Sequence, residues 1–492
     1  MKIGRVLGRA MLCSAFGLIW GMGAAQYVGI VLQQSTYGSH ALAAYRGTQV
    51  GYSPAVFGLP THALLWHGPG VATEMEPAGY YGSAINDVWG TKQAGWARKP
   101  ATQSVHAILW NGSASDFVDL HPSAFAQSQC NGMSESHQIG VVYASNGDQM
   151  RAVMWTGTAS SVVVLHPSWA VRSVGMGIHN GRQVGYGYDT SGWQRATLWQ
   201  GTAASCVNLH PNGELTSQAI AVWDNEQVGF TGPSVDARAA LWNGTAASYT
   251  NMHPVGAEYS RLNDVCNGTQ VGSAHVPTIL GNREHAHVWH GVPGSAVDVH
   301  EFLPPEFSRS RINGIAPDGT LVGIADVEGG VGWVQPVMWI PVPVSLAPSS
   351  YALVHGIPRG GSLASLVASD DDRLRSRMNF ETSRLAPKVI LELAFDSPWQ
   401  WISRLNIEVE ASVTLQPIVQ TVSLWNGAAW VEVDSSPATL ADSVRSLSWA
   451  AGASGFVVGG KIRVRLQFYT FDRENLSRAE ALVDRVRLTV YP

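Results

Sequence analysis

The chain has 492 residues, of which 14% are charged and 52 are glycine, and its formal net charge is −5. This composition suits a turn-rich β protein and excludes a helical or disordered chain. No basic stripe or arginine-rich arm is present, so the electrostatic footprint of a nucleic-acid binder is missing.

Residues 1–25 read as an export signal. Lys2, Arg5 and Arg9 form a positive start, and a short apolar stretch then ends in Gly-Ala-Ala, suited to cleavage before Gln26. The alternative is an uncleaved anchor, but a spanning helix needs about 20 apolar residues and this stretch is shorter. Cys13 lies within it, and its surroundings make a poor lipoprotein signal. No other long apolar run exists, so no membrane span is expected after signal removal. The expected location is secreted, periplasmic or cell-surface. Cleavage leaves Cys130, Cys206 and Cys266, an odd set read as buried single thiols rather than a disulfide framework.

Residues 27–32 form an isolated strand word, and repetition begins after it. Apolar runs close on Trp66, Trp110, Trp155, Trp199, Trp242, Trp289 and Trp339, spaced by 44, 45, 44, 43, 47 and 50 residues. A second word, Gln-Val-Gly or a variant, starts at Gln49, Gln93, Gln138, Gln183, Gln227, Gln270 and Leu321. Two residues after each of the first six tryptophans stands a glycine, Gly68, Gly112, Gly157, Gly201, Gly244 or Gly291, in a reverse turn that needs positive φ. The Asn-Gly-Ser/Thr words at Asn111, Asn243 and Asn267 also match glycosylation acceptors and are read as turns. The period predicts an all-β fold whose first part is a seven-bladed β-propeller of four-stranded blades, residues 26–343. Fourth strands are evident only six times, ending near Glu76, His121, His166, His210, His253 and His300. After Trp339 come Pro341, Pro343 and Pro348. The strand at 27–32 is therefore expected to complete the last blade and remove the open edges.

Three segments recur in a recognisable order: Ala107 to Trp110, Asp119-Leu120, and Ile85-Asn86-Asp87 through Gln93-Ala94-Gly95. Over about residues 41–341 the chain resembles the extracellular HAF-repeat family. It departs in carrying Ile, Met, Thr or Ala where Phe is typical, and His-Pro after Asp-Leu. The resemblance implies secretion and a bacterial source. It implies no agreed activity and hence no catalytic residues.

Residues 344–351 read as a linker and 352–492 as an antiparallel β-sandwich. Leu405 to Glu410 and Lys461 to Leu466 alternate apolar and charged, as strands with one wet face do. A hairpin turns at Asn426-Gly427, and a final strand runs from Val483 to Tyr491. Asp370-Asp371-Asp372 could be offered as a calcium site, but it reads as a solvated loop, since no EF-hand spacing surrounds it. No metal and no cofactor is expected.

Two polar positions recur with the blades. Four residues before the tryptophans stand His62, His106, Arg151, Arg195, Arg238, His285 and Gln335; eleven after stand His121, His166, His210, His253 and His300, with Glu76 in a shortened first copy. In a third–fourth strand hairpin these positions face each other on one rim. One reading is a ring of donors for anions or a sugar acid. The other is structural: each His and Arg binds backbone carbonyls of the next blade, a task every copy shares. Opposed basic pairs also imply mostly neutral histidines.

Departures from the repeat point elsewhere. The longest insertions are residues 273–284 and the connection from His300 to Leu321, both beside blade six. Insertions in repeat proteins tend to gather on one, often binding, face. They bring in Arg283, Glu284, Glu301, Glu306, Arg309 and Arg311 as expected ligand-binding residues. The alternative is a harmless surface elaboration. No nucleophile, metalloprotease or phosphate-loop motif is visible. The expected function is a non-enzymatic binding or cell-surface interaction module for an extracellular ligand, carbohydrate or protein. The alternative is a polysaccharide hydrolase or lyase using paired carboxylates.

Overall fold

The computed structural model describes residues 26–33, 38–54, 60–144, 149–279, 281–327, 334–379, 388–450, 452–470 and 478–491. The expected export signal lies outside them. Among the described residues the chain is all-β, with one-turn 3-10 segments and no α-helix. None of its helices is long and apolar enough to cross a membrane.

Seven antiparallel sheets of four strands succeed one another, followed by two larger sheets. In the first six the strands pair in chain order. The seventh takes Phe307–Ile315, Leu321–Val327 and Val334–Pro341 from the end of the repeats. Its fourth strand, Tyr27–Val31, comes from the start, with Tyr27 paired to Pro341 and Val31 to Val337.

The recurring words are two halves of one contact. Gln138 lies directly opposite Trp155, and Gln49, Gln93, Gln183, Gln227 and Gln270 oppose their own tryptophans likewise. Beyond each tryptophan the chain reverses through the glycine, at φ 85° for Gly157. That glycine's N–H then donates to the glutamine Oε1: 2.9 Å for Gly157, 2.7 Å for Gly201, 2.7 Å for Gly291. A buried amide is thereby satisfied by the strand beside it. The seventh copy has lost both partners together. Leu321 opposes Trp339, and Ile340-Pro341 follows in place of the turn. All seven tryptophans are fully buried, several with the indole N–H on the preceding sheet, as Trp110 Nε1 on Met75 O at 2.8 Å.

The first strands are His40–Tyr45, Ser83–Trp89, Gln127–Met133, Arg172–His179, Ser217–Trp223, Ser260–Cys266 and Phe307–Ile315. All seven line one cavity of about 420 Å³. Each carries a bulge against the glycine of the Gln-Val-Gly word, for example between Cys130 and Gly132 opposite Gly140. A Cβ on Gly140 would lie 2.0 Å from Gln129 O, so only glycine fits. The bulged residue turns toward the axis. Where it is asparagine, its Nδ2 binds the next sheet: Asn86 to Cys130 O at 2.7 Å, Asn131 to Gly175 O at 2.8 Å, Asn263 to Ile312 O at 2.7 Å. Asn313 reaches Ala41 O at 2.8 Å and joins the seventh sheet to the first.

The remaining two sheets have six strands each and share one buried core that includes Phe395, Leu405, Leu424, Leu466, Phe468 and Leu488. The alternating runs read from sequence are the strands Arg404–Val413 and Lys461–Tyr469. Val344–Leu346, inside the stretch expected as linker, is itself a strand paired to the terminal strand, with Val344 opposite Val490. Prolines before it do not prevent pairing at a sheet margin. Ring contacts join this unit to the repeats, His290 lying parallel to Trp401 at 6.4 Å. The three described cysteines are free thiols, Cys130 and Cys266 buried.

Candidate functional site

The paired polar positions meet as the hairpin register requires. Arg195 NH1 donates to His210 Nε2 at 2.5 Å, and Arg238 NH1 to His253 Nε2 at 2.6 Å. His106 stacks on His121 and His285 on His300, both at 4.0 Å. His62 approaches Glu76 at 3.3 Å. The expected backbone contacts toward the next sheet are present: His121, His166, His210, His253 and His300 hydrogen-bond at Phe125, Ala170, Glu214, Ala257 and Phe307, His253 Nε2 lying 3.0 Å from Ala257 O, and Arg195 reaches Leu215 O at 3.1 Å. The shared partner is a buried serine of the next sheet. His121, His166, His210, His253 and His300 place Nδ1 2.7–2.9 Å from Ser128, Ser173, Ser217, Ser260 and Ser310. The same hydroxyl accepts an N–H from the third strand, as Ala196 N on Ser217 Oγ at 2.9 Å. Each serine thus fastens two sheets.

Burial lowers the pKa of His121, His166, His210 and His253, and the facing Arg or His lowers it further. His300 falls to about 4. A depressed histidine contributes stability that is full above its unfolded value, about 6.5, and is lost as pH falls toward the folded value. Asp87 and Asp264 oppose this. Burial raises both to about 7, so their contribution is full in acid and fades as pH rises through 4–7. Glu226, Asp326 and Asp484 are also raised by burial, but among the described residues ten histidines are depressed against these five carboxyls. Thermal stability should therefore fall between pH 6.5 and 4.5, and more steeply in Asp87→Asn. A Tm that rises on acidification would reverse this assignment.

Aromatic rings gather in the lining of the central cavity. Trp89 and Trp223 come from the second and fifth sheets, yet lie 6.2 Å apart. His179 stacks on Trp223 at 3.9 Å, and Tyr45 lies 4.9 Å from Trp89. Asp87 and Asp264 face the cavity where the other sheets carry Gly or Ala. Each accepts an N–H from the next sheet: Met133 at 2.7 Å, Ile315 at 2.9 Å.

Two arms, Thr269–Thr278 and Gly281–Trp289, form the longest hairpin of the seven sheets, which is the first insertion. Glu284 on it accepts Ser273 Oγ at 2.7 Å and lies 3.7 Å from Arg311 of the seventh sheet. Arg261 lies over the Phe230 ring at 4.5 Å, close enough to Glu284 and Arg311 for each to act on its charge. Asp326 pairs in register with Arg309 and keeps a buried Oδ1 without a hydrogen bond. Its pKa is raised by burial, and Glu284 adds to that. His40, held down to about 4 by burial and then Arg311, stacks on Tyr52 at 4.7 Å.

The six expected ligand residues therefore do not form one cluster. Glu284 and Arg311 meet, and Arg309 stands beside Asp326. Arg283 lies on the hairpin arm, opposite Val276. Glu301 and Glu306 are exposed and form no ion pair among the described residues. Glu301 belongs to the turn His300–Phe302, whose Phe302 packs on Tyr27 at 6.3 Å. The second insertion is spent on covering the outer strand of the seventh sheet. Arg261, Ser273 and Asp326 carry no signal in the sequence. The bridging serines were legible: they follow the histidines by seven residues at Ser128, Ser173, Ser217 and Ser260.

No protein-family model and no curated protein sequence matches this chain. Among solved structures it is similar to the β-propeller domain of the Trilobed protease from Pyrococcus furiosus. The TM-score is 0.42 at 8% identity, over 62% of this chain and 94% of that one. It is also similar to a puromycin hydrolase, with TM-score 0.45 at 12% identity, over 73% and 60%. A third is an oligogalacturonate lyase in complex with manganese, with TM-score 0.38 at 10% identity, over 65% and 98%.

Proposed function

We propose that this chain is a secreted or cell-surface binding protein of the HAF-repeat kind. In this reading the seven sheets are the blades of a propeller spanning about residues 26–343, and the two larger sheets are a β-sandwich that follows it. The binding site is the patch at sheets six and seven where Arg261, Ser273, Glu284, Arg311 and Asp326 meet. The observation that supports it is the 3.7 Å approach of Glu284 to Arg311 across two sheets, in a ring whose other sheets are near copies. An asymmetric ligand requires an asymmetric patch. Guanidinium, carboxylate and hydroxyl groups together suit a polyhydroxylated or acidic carbohydrate.

Retention of the mature protein on immobilised polysaccharides, read together with product release, tests this. Arg311→Ala should weaken retention at least tenfold, about 1.4 kcal/mol, with folding intact. Retention that survives Arg311→Ala and vanishes in a folded His210→Ala variant would place the site on the histidine ring instead.

A second reading has one observation in its favour. Glu284 and Asp326 lie close enough to act on each other, and Asp326 is raised by burial. A carboxyl raised by burial beside a second carboxylate is an arrangement glycoside cleavage uses. New reducing ends or unsaturated products, lost in Asp326→Asn, would make the protein an enzyme.

A further inference from the structure

The two larger sheets bring three distant aspartates together. Asp371 precedes the strand Leu374–Arg377, Asp442 precedes Ser443–Trp449, and Asp484 lies within the terminal strand Glu480–Tyr491. One oxygen from each lies within 4.8 Å of the others. Asp484 is the extra residue of a bulge: Val483 pairs with Ala411 and Arg485 with Glu410, leaving it unopposed. A bulge re-aims its side chain, and this carboxylate is 2% exposed. Its Oδ1 is buried with no hydrogen bond, whereas the backbone N–H groups of Asp371, at 3.4 Å from Oδ2, and of Asp370 both donate to the carboxylate. A buried carboxylate oxygen without a donor is costly, so a bulge that keeps one there calls for a ligand.

We propose that Asp371, Asp442 and Asp484 form a calcium-binding site that ties two loops to the terminal strand. All the donors are hard oxygens, which excludes the nitrogen and sulfur set of structural zinc. Three carboxylate oxygens within 4.8 Å of one another can reach one hard cation, and the flexible coordination of Ca²⁺ accepts an irregular set that the near-ideal octahedron of Mg²⁺ does not. Charge agrees. Arg373 pairs with Asp371 and Asp442, and Arg485 with Glu410, which acts on Asp484, so four carboxylates stand against two guanidinium groups. Arg373 engages Asp371 Oδ1 and Asp442 Oδ2, which leaves the second oxygen of each carboxylate for the ion.

Calorimetric titration of the chelator-stripped full chain with CaCl₂ and MgCl₂, with thermal unfolding in parallel, is the test. Wild type should bind one Ca²⁺ and show a Tm that rises with its concentration, as ligand linkage requires. Mg²⁺ should bind at least tenfold more weakly. Asp484→Asn should abolish the Ca²⁺ response. Asp371→Asn alters an exposed residue outside the core and should weaken Ca²⁺ at least tenfold with the metal-free Tm unchanged. It decides the matter even where Asp484→Asn fails to fold. Absence of Ca²⁺ binding at 5 mM, or a response undiminished in Asp371→Asn, overturns the proposal and leaves an ion-pair cluster around Arg373.

Discussion

Removing residues 26–33 should lower the melting temperature by about 10 °C or more, or abolish cooperative unfolding altogether. The seventh sheet loses its outer strand, and with it Tyr27 and Leu32, both buried. Burying such side chains is worth about 1.5–3 kcal/mol each, against about 5–15 kcal/mol for a whole domain. Gln33 goes too, and its Oε1 accepts both Trp66 Nε1 and Ala72 N at 3.1 Å. The freed margin of Val334–Pro341 becomes an aggregation template. A synthetic peptide of residues 26–33 should restore the transition when added to the truncated chain. An unchanged Tm in the truncated chain would show that the ring does not depend on this strand.

Gly185→Ala should cost at least about 3 kcal/mol in urea unfolding, near the top of what single substitutions do. The added carbon would sit 2.0 Å from Val174 O, and the bulge between Gly175 and Gly177 leaves that carbonyl nowhere to retreat. Gly47→Ala is the control. Gly47 has φ 83° and open space around it, so only the conformational term of about 1–2 kcal/mol applies. Equal destabilisation by the two would mean that steric exclusion is not what the Gln-Val-Gly glycine is for.

What the chain discloses in advance follows the range of its interactions. The Trp and Gln words are legible because they are opposed within one hairpin, and hairpin geometry fixes both spacings. The pairing of Arg195 with His210 follows from the same register. The bulge is not legible, because one extra residue inverts the inward–outward alternation without altering composition. Asn86 and Asp87 accordingly read only as part of a recurring word, although one binds Cys130 O and the other Met133 N. The patch at Glu284 joins residues of different sheets, and local periodicity says nothing about which of two insertions meets a charged neighbour on the next sheet. Asp371, Asp442 and Asp484 are separated by 71 and 42 residues, so only the folded chain shows them as neighbours.

The closure also sets how the molecule bears force. Tyr27 pairs with Pro341, and Val342 N donates to Gln26 O at 2.9 Å just beyond. The chain therefore enters the ring and leaves it at the same end of one antiparallel ladder. Tension between a tethered N-terminus and a held C-terminal unit would not shear this ladder, with its rungs loaded together. It would peel the ladder open from Tyr27, one rung at a time, at low force. On a surface under flow the ring is then the part that opens first. The two larger sheets carry the same tension and resist it further, because their terminal strand is paired along its length to Arg404–Val413 and held at both ends of its other margin by Leu374–Arg377 and Val344–Leu346.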